Sequence, residues 1–266
     1  MPIKEKIRYR EICKKNKEIP IFMQDWWLDA IVGPDLWDVF IVEESGILKA
    51  VWPFAFRKKD HRNIYQPALT QTGGIFYFYP PGLKQITKLS FEKEICGQLI
   101  DRMEQEVMPQ NYYQAFHVGF TNWLPFYWKN YQQTTYYTYR ISSGQEIETV
   151  WSSMSSKLRN EIKNSYKKTD IRIFHDAEIV YSMFEKTYKR RNRKPPYDFK
   201  FIDKIVNASI EKNQGKVYVA FGEGVALSAI FVVNDLASSY YLLGGSDYSI
   251  KNINANAVLL WHAAKD

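Results

Sequence analysis

Val217-Tyr-Val-Ala-Phe221, Gly222-Glu-Gly224 and Val225-Ala-Leu-Ser-Ala-Ile-Phe-Val-Val233 form the stretch whose reading decides the fold. Two apolar runs rich in β-branched and aromatic residues, joined by Glu-Gly, predict a β-hairpin. Asn234-Asp235 turns the chain again into a Tyr-rich strand, Leu236 to Leu243, closed by Gly244-Gly245. Asn254 then caps a helix whose apolar positions are Ala257, Leu260, Trp261 and Ala264. The order is strand, strand, strand, helix.

The same order is written 178 residues earlier. Val39-Phe-Ile-Val-Glu-Glu-Ser-Gly46 and Ile47-Leu-Lys-Ala-Val-Trp-Pro-Phe54 overlay Val217 to Gly224 and Val225 to Val232. Two of these sixteen positions are identical, Val39/Val217 and Gly46/Gly224, so the pattern carries the match rather than the identities. Each copy follows an aromatic-bearing helix (Asp25 to Ile31; Phe199 to Ala208). Each leads to paired glycines, Gly73-Gly74 and Gly244-Gly245, and then to a further helix. The pattern predicts one α/β unit used twice.

A length of 266 residues suits two domains of ordinary size. No run approaches the roughly 18 apolar residues of a membrane span, and the N-terminus lacks an apolar signal core. These features point to a soluble cytoplasmic protein. Cys13 and Cys96 stand far apart, without a second cysteine or histidine at metal-ligand spacing, so they predict free buried thiols and no metal site. The net charge of +7 is concentrated: Lys157 to Lys200 holds 13 Lys/Arg against 6 Asp/Glu, and the rest of the chain is balanced. Such a segment attracts an anionic partner, whether nucleic acid, nucleotide sugar or lipid headgroup.

Along the chain, residues 3 to 17 predict a short amphipathic helix. Lys58 to Arg62 reads as a polar turn, and Ile64 to Gly74 as a strand broken at Pro67. Ser90 reads as the cap of a helix with Phe91, Ile95, Leu99, Met103 and Val107 on one stripe. Tyr112 to Tyr139 holds twelve aromatics without interleaved basic residues, which favours a packed core over stacking on bases. Strands are expected at Tyr113 to Val118 and Thr134 to Ile141, with His117 a packed residue rather than a base. Ser143 to Glu146 reads as a capping box opening one long helix through Ile162. On that helix Arg159, Lys163 and Lys167 form a basic stripe, for which a solvated face is the plain alternative. Asp176 caps the next helix, which ends in Lys189-Arg-Arg-Asn-Arg-Lys194 before Pro195-Pro196. Cations at a helix C-terminus complement its dipole over one turn, and six Lys/Arg within Lys186 to Lys194 exceed that requirement.

Several stretches, taken in order, resemble the Fem-type branch of the GNAT acyltransferases (the FemAB-like and BioF2-like proteins). They are Ile19-Pro-Ile-Phe22 with Trp26-Trp27-Leu28, Trp52-Pro-Phe54, Pro67 to Gly74, and Ser156 to Lys163. The helix carrying Tyr188 and Arg191, and Asn256 to Trp261, complete the set. The resemblance covers nearly the whole chain. It implies an α/β fold with mixed sheets, built as two tandem GNAT-like domains at 1–141 and 142–266, the second incomplete at its C-terminal end.

It also implies transfer of an acyl or aminoacyl group to an amine of a phosphate-bearing acceptor, such as a peptidoglycan precursor. The donor would be aminoacyl-tRNA or acyl-CoA, with no tightly bound cofactor. By motif neighbourhood, Arg159, Lys163, Tyr188, Arg191 and Lys194 are the candidate substrate-binding residues. Asp247, just after Gly244-Gly245, is the candidate base, with an ordinary turn aspartate as the alternative. The segment Lys251 to Ala257 lacks the glycine-bearing loop that holds a CoA pyrophosphate in related acetyltransferases, which counts against ordinary acetyl-CoA binding. The other readings are an acyl-CoA-dependent N-acetyltransferase and a non-catalytic protein binding RNA or an anionic surface. Expected partners are therefore a phosphate-bearing small molecule or cell-wall precursor, tRNA, and a membrane surface contacted peripherally.

Overall fold

The computed structural model describes residues 3–57, 60–142, 144–248 and 253–266. The chain forms two compact units, Met1–Thr135 and Tyr136–Asp266.

The first unit runs α1 (Ile3–Lys15), α2 (Asp25–Ile31), β1 (Trp37–Glu44), β2 (Ile47–Arg57), β3 (Asp60–Tyr65), β4 (Phe76–Tyr77), α3 (Gln85–Arg102), β5 (Asn111–Tyr112) and α4 (Leu124–Trp128). Its sheet has the order β1-β2-β3-β5, with β4 also on β2 and β5 parallel to β3. Strand β2 is buried on both faces, which is why it reads as a nearly unbroken apolar run. Val51 and Ala55 join Tyr9, Ile12 and Cys13 of α1 on one face. Trp52, Phe54 and Phe56 meet Ile95, Leu99 and Ile100 of α3 on the other. Each Val, Ile, Leu or Phe side chain among them, fully buried, contributes about 1.5–3 kcal/mol. Part of the aromatic segment from Tyr112 belongs to this second core, with Phe116, Phe120, Phe126 and Tyr131 packed around Trp52 and Tyr77, while Tyr113, Tyr127 and Trp128 are exposed.

The second unit runs α5 (Ile147–Ser153), α6 (Ser156–Tyr166), β6 (Asp170–Phe174), α7 (Glu178–Arg190), α8 (Phe199–Glu211), β7 (Gly215–Gly222), β8 (Val225–Asn234), β9 (Ser239–Ser246) and α9 (Ala255–Lys265). Its sheet is antiparallel in the order β6-β7-β8-β9. Val219, Ala229 and Gly245 lie in one row across the sheet, and Gly245 meets Met183 of α7. Tyr218, Ile230 and Gly244 form the next row, facing the opposite way, where Tyr218 and Ile230 pack with Ala255 and Leu259 of α9. Helices α7 and α9 therefore cover opposite faces.

The hairpin at the centre of each unit is built alike. Ser45-Gly46 and Glu223-Gly224 both turn with positive φ, 51° and 78° against 51° and 81°. That geometry matches the twist of a two-residue hairpin. Each hairpin carries a bulge at the corresponding place, Val42/Glu43 and Ala220/Phe221.

Several elements differ from the sequence expectation. Helix α3 begins at Gln85, and Ser90 lies inside it with Oγ donating to the Ile86 carbonyl, so it is no cap. The long helix expected to run through Ile162 is two helices. Ser152 and Ser153 donate back to the Thr149 and Val150 carbonyls, and Ser155 caps α6 by accepting from Leu158 N. This is the competition of short polar side chains with the helix backbone. The expected capping serine, Ser143, lies outside the described residues, as do Lys58, Lys59, Lys251 and Asn252.

Strand β3 stops at Tyr65, ahead of Pro67, and the stretch to Gly74 contributes one isolated bridge, Gly73 to Phe116. Residues 113–118 and 134–141 join no ladder; Tyr137 and Tyr139 are fully exposed. Strand β9 starts at Ser239, because the Asp235 carboxylate accepts from Ala237 N and Ser238 N and extends the turn. The paired glycines lie within β9 rather than after it.

Candidate functional site

The candidate site is built where α7 lies along β9. Helix α7 buries Val180, Met183 and Phe184 against the sheet, and a Cβ at Gly245 would sit 2.0 Å from the Met183 carbonyl oxygen. A main-chain approach this close admits glycine alone. It aligns the next turn of the helix with the end of the strand. Thr187 Oγ1 accepts from Ser246 N at 3.2 Å, and Lys186 Nζ pairs with Asp247 Oδ2 at 2.7 Å. Arg190 stacks over the Tyr248 ring at 3.5 Å. Below them Ser228 Oγ donates to the Gly245 carbonyl and touches Ser246 Oγ, a satisfied buried pair. Strand β9 ends the sheet order, so along its outer edge no described strand covers the main-chain N–H and C=O groups.

Beyond this seam the helix ends. Arg191 is its C-cap, Asn192 takes the left-handed conformation at φ 52°, and Arg193 N donates to the Tyr188 carbonyl. Lys186 is spent on Asp247, Lys189 pairs with Glu185 at 2.9 Å, and Arg190 lies on Tyr248. Arg191, Arg193 and Lys194 remain exposed and, among the described residues, make no ion pair. The helix dipole favours a cation by about 0.3–1 kcal/mol, within the last turn. It accounts for Lys189 and Arg190, but Arg193 and Lys194 lie past that turn. Tyr188 is half-buried beside them, edge-on to Phe184 at 4.9 Å, and Phe184 stacks on Tyr197 across the Pro195-Pro196 loop.

Arg159 and Lys163 lie elsewhere in the same unit. They belong to α6, which packs on α9: Asn254 N donates to Ser165 Oγ, Asn254 Nδ2 to Glu161, and Trp151 meets Trp261 at 4.9 Å. Arg159 bonds within its own helix to Ser156, and Lys163 lies 5.8 Å over Trp151. The structure puts Asp247 in the seam, paired with Lys186 of α7, and sets Tyr188, Arg191 and Lys194 at and just past the end of the same helix. It sets Arg159 and Lys163 on α6, in the α9 layer. Sequence reading passed over Lys186, Thr187, Arg190 and Tyr248. Lys186 and Arg190 stood in the basic run, but nothing local told them apart from their neighbours, since their partners lie about sixty residues further on.

Among the described residues no group of three His, Cys, Asp or Glu could hold a metal, and no helix is long and apolar enough to cross a membrane.

Residues 152–266 match the acetyltransferase (GNAT) domain family. The crystal structure of FemX superposes with a TM-score of 0.68 at 11% identity, covering 98% of this chain and 83% of that one. No curated protein matches the sequence. Residues 152–266 thus resemble a GNAT-type domain, and the chain as a whole shares the fold of FemX. Strand β9, helix α7 and the seam between them fall inside the matched domain.

Proposed function

We propose that the chain transfers an acyl or aminoacyl group to an amine on a phosphate-bearing acceptor, with the exposed cations Arg191 and Lys194 holding the phosphate. The observation that carries this reading is the unpaired basic cluster at the end of α7, pinned against the last strand of a GNAT-type domain. Charge-assisted hydrogen bonds to an anion contribute about 1.5–3 kcal/mol each, more than the helix dipole returns for the same side chains.

In the reaction the acceptor nitrogen attacks the donor carbonyl, its surplus proton passes to a base, and the ester or thioester bond breaks with the leaving group taking up a proton. Asp247 is the proposed base. Its pairing with Lys186 holds the carboxylate in place at the end of β9. The open edge of β9 supplies main-chain N–H groups of the kind that stabilise a developing oxyanion. Tyr188 shapes the wall beside the phosphate, and Arg159 and Lys163 on the α9 layer are proposed to hold a more distant part of the same acceptor or donor.

The domain match favours an acyl thioester as donor, whereas the Fem-type fold suits aminoacyl-tRNA. A cell-wall precursor is the acceptor proposed from that fold. The test is binding and turnover with a phosphate-bearing amine acceptor and each donor in turn. Arg191→Glu with Lys194→Glu should weaken acceptor binding at least tenfold and flatten its salt dependence, with the melting temperature unchanged. Equal affinity in the double variant removes the reason for choosing these residues. Binding of tRNA regardless of aminoacylation, with no turnover of either donor, would show a non-catalytic protein instead.

A further inference from the structure

The first unit carries a groove of about 620 Å³ that the acyl-transfer reading does not use. This volume lies in the range of small-molecule sites. Helix α1, the loop entering β1 and strand β3 line it. Its floor includes the buried rings of Trp37 and Phe56, and Ile7 stands exposed at its rim.

Charge of both signs faces the opening. Lys6 reaches in from α1, its ammonium donating to the Pro34 carbonyl and, at 2.8 Å, to the Trp37 carbonyl while lying 4.1 Å over the Trp37 ring. Asp38 is half-buried; Oδ1 accepts from Val39 N and, among the described residues, Oδ2 has no partner. Burial raises the pKa of Asp38, with Val39 N and the charges of Lys6 and His61 acting against it. Burial likewise lowers that of Lys6. The His61 ring, also lining the groove, packs on Phe56 at 4.6 Å, next to Arg62.

An anion alone would meet Asp35, Asp38 and Glu106, and a cation alone would meet Lys6, Arg10 and Arg62. We propose that the groove binds a small zwitterion, an α-amino acid or dipeptide with an apolar side chain. Its ammonium lies on Asp38 and Asp35, its carboxylate toward His61 and Arg62, and its side chain against Ile7 and the aromatic floor. The site belongs to the first unit and does not depend on the acyl-transfer reading.

Calorimetric titration of the full chain tests it with four probes of similar shape: phenylalanine, phenylalanyl-alanine, phenethylamine and 3-phenylpropionate. At least one zwitterion should bind, and each single-charge analogue should bind at least tenfold more weakly. Asp38→Asn keeps the acceptor for Val39 N and should remove zwitterion binding. His61→Glu, at an exposed position, should weaken it at least fivefold and provides a second variant should Asp38→Asn fold poorly. No binding by either zwitterion, equal binding of all four probes, or unchanged affinity in His61→Glu overturns the proposal.

Discussion

Gly245 shows how much one residue can fix. Strand β9 and helix α7 approach so closely that any side chain at this position would enter the Met183 carbonyl. Gly245→Ala is expected to cost about 3 kcal/mol of stability, at the upper end of overpacking penalties, read as an earlier urea transition. A variant as stable as the parent would show that helix and strand slide apart without loss. The paired glycines were visible in the sequence, though they were read as closing the strand and lie within it. Their reason was not visible, because close approach to Met183, 62 residues upstream, leaves no local mark. The two cysteines show the opposite case. Both were read as free buried thiols, and burial pushes the thiol pKa of Cys13 and of Cys96 up to about 12. At pH 8 the native protein should therefore react with neither equivalent of a thiol reagent and with both after denaturation. Fast labelling of the native chain would contradict that burial.

At the scale of elements, the hairpins were the most legible part. Their turns need φ above zero at two successive residues, which Ser45-Gly46 and Glu223-Gly224 supply, and the flanking runs are long and apolar. Gly46→Ala and Gly224→Ala should each destabilise by about 1 kcal/mol, measured by denaturant unfolding. The helix pair α6–α9 was less legible. It is joined by the Tyr166 hydroxyl and His262 Nδ1 at 3.0 Å and by Asn254 to Ser165 and Glu161. The pKa of His262 is lowered, first by burial and then by Lys265, with Asp266 opposing. The folded state then binds its proton later than the unfolded chain. The stability this confers is complete above the ordinary histidine value of about 6.5 and declines as pH falls through the folded value. Thermal melts between pH 7.5 and 5 should show that decline, and His262→Asn should reduce its slope; parallel profiles would remove His262 as the cause. The helix expected to run unbroken through Ile162 failed for a local reason, since periodicity registers the apolar stripe but not the serines that end one helix and cap the next.

For the molecule as a whole, each unit has a hydrophobic core of its own, one around Trp52 and Leu99, the other around Tyr218, Ile230 and Leu259. Residues 132–142 join no ladder and carry the exposed Tyr136, Tyr137, Tyr139 and Ile141. Limited trypsin should cut first at Arg140 and chymotrypsin at the neighbouring tyrosines, leaving two fragments of about half the chain. First cleavage inside either core would contradict the two-unit architecture. The twelve aromatics of this region divide: Tyr112, Phe116, Phe120, Trp123, Phe126 and Tyr131 pack as expected, while Tyr113, Tyr127, Trp128 and the last three lie exposed. Their composition is the same, and their burial depends on whether a sheet face is there to receive them.

The sequence by itself determined what is local and periodic: the paired hairpins, the cap at Asn254 as a polar residue ahead of an apolar stripe, the free thiols, and the concentration of positive charge in one segment. The tertiary structure alone decided which cations remain unpaired. Lys186 and Arg190 find Asp247 and Tyr248, Lys189 finds Glu185, and Arg191, Arg193 and Lys194 are left to solvent. It also decided that Arg159 and Lys163 lie on the layer opposite α7. A charge declares its sign in the sequence, but its availability depends on partners brought near through space, and those are chosen by the packing of helices across a sheet.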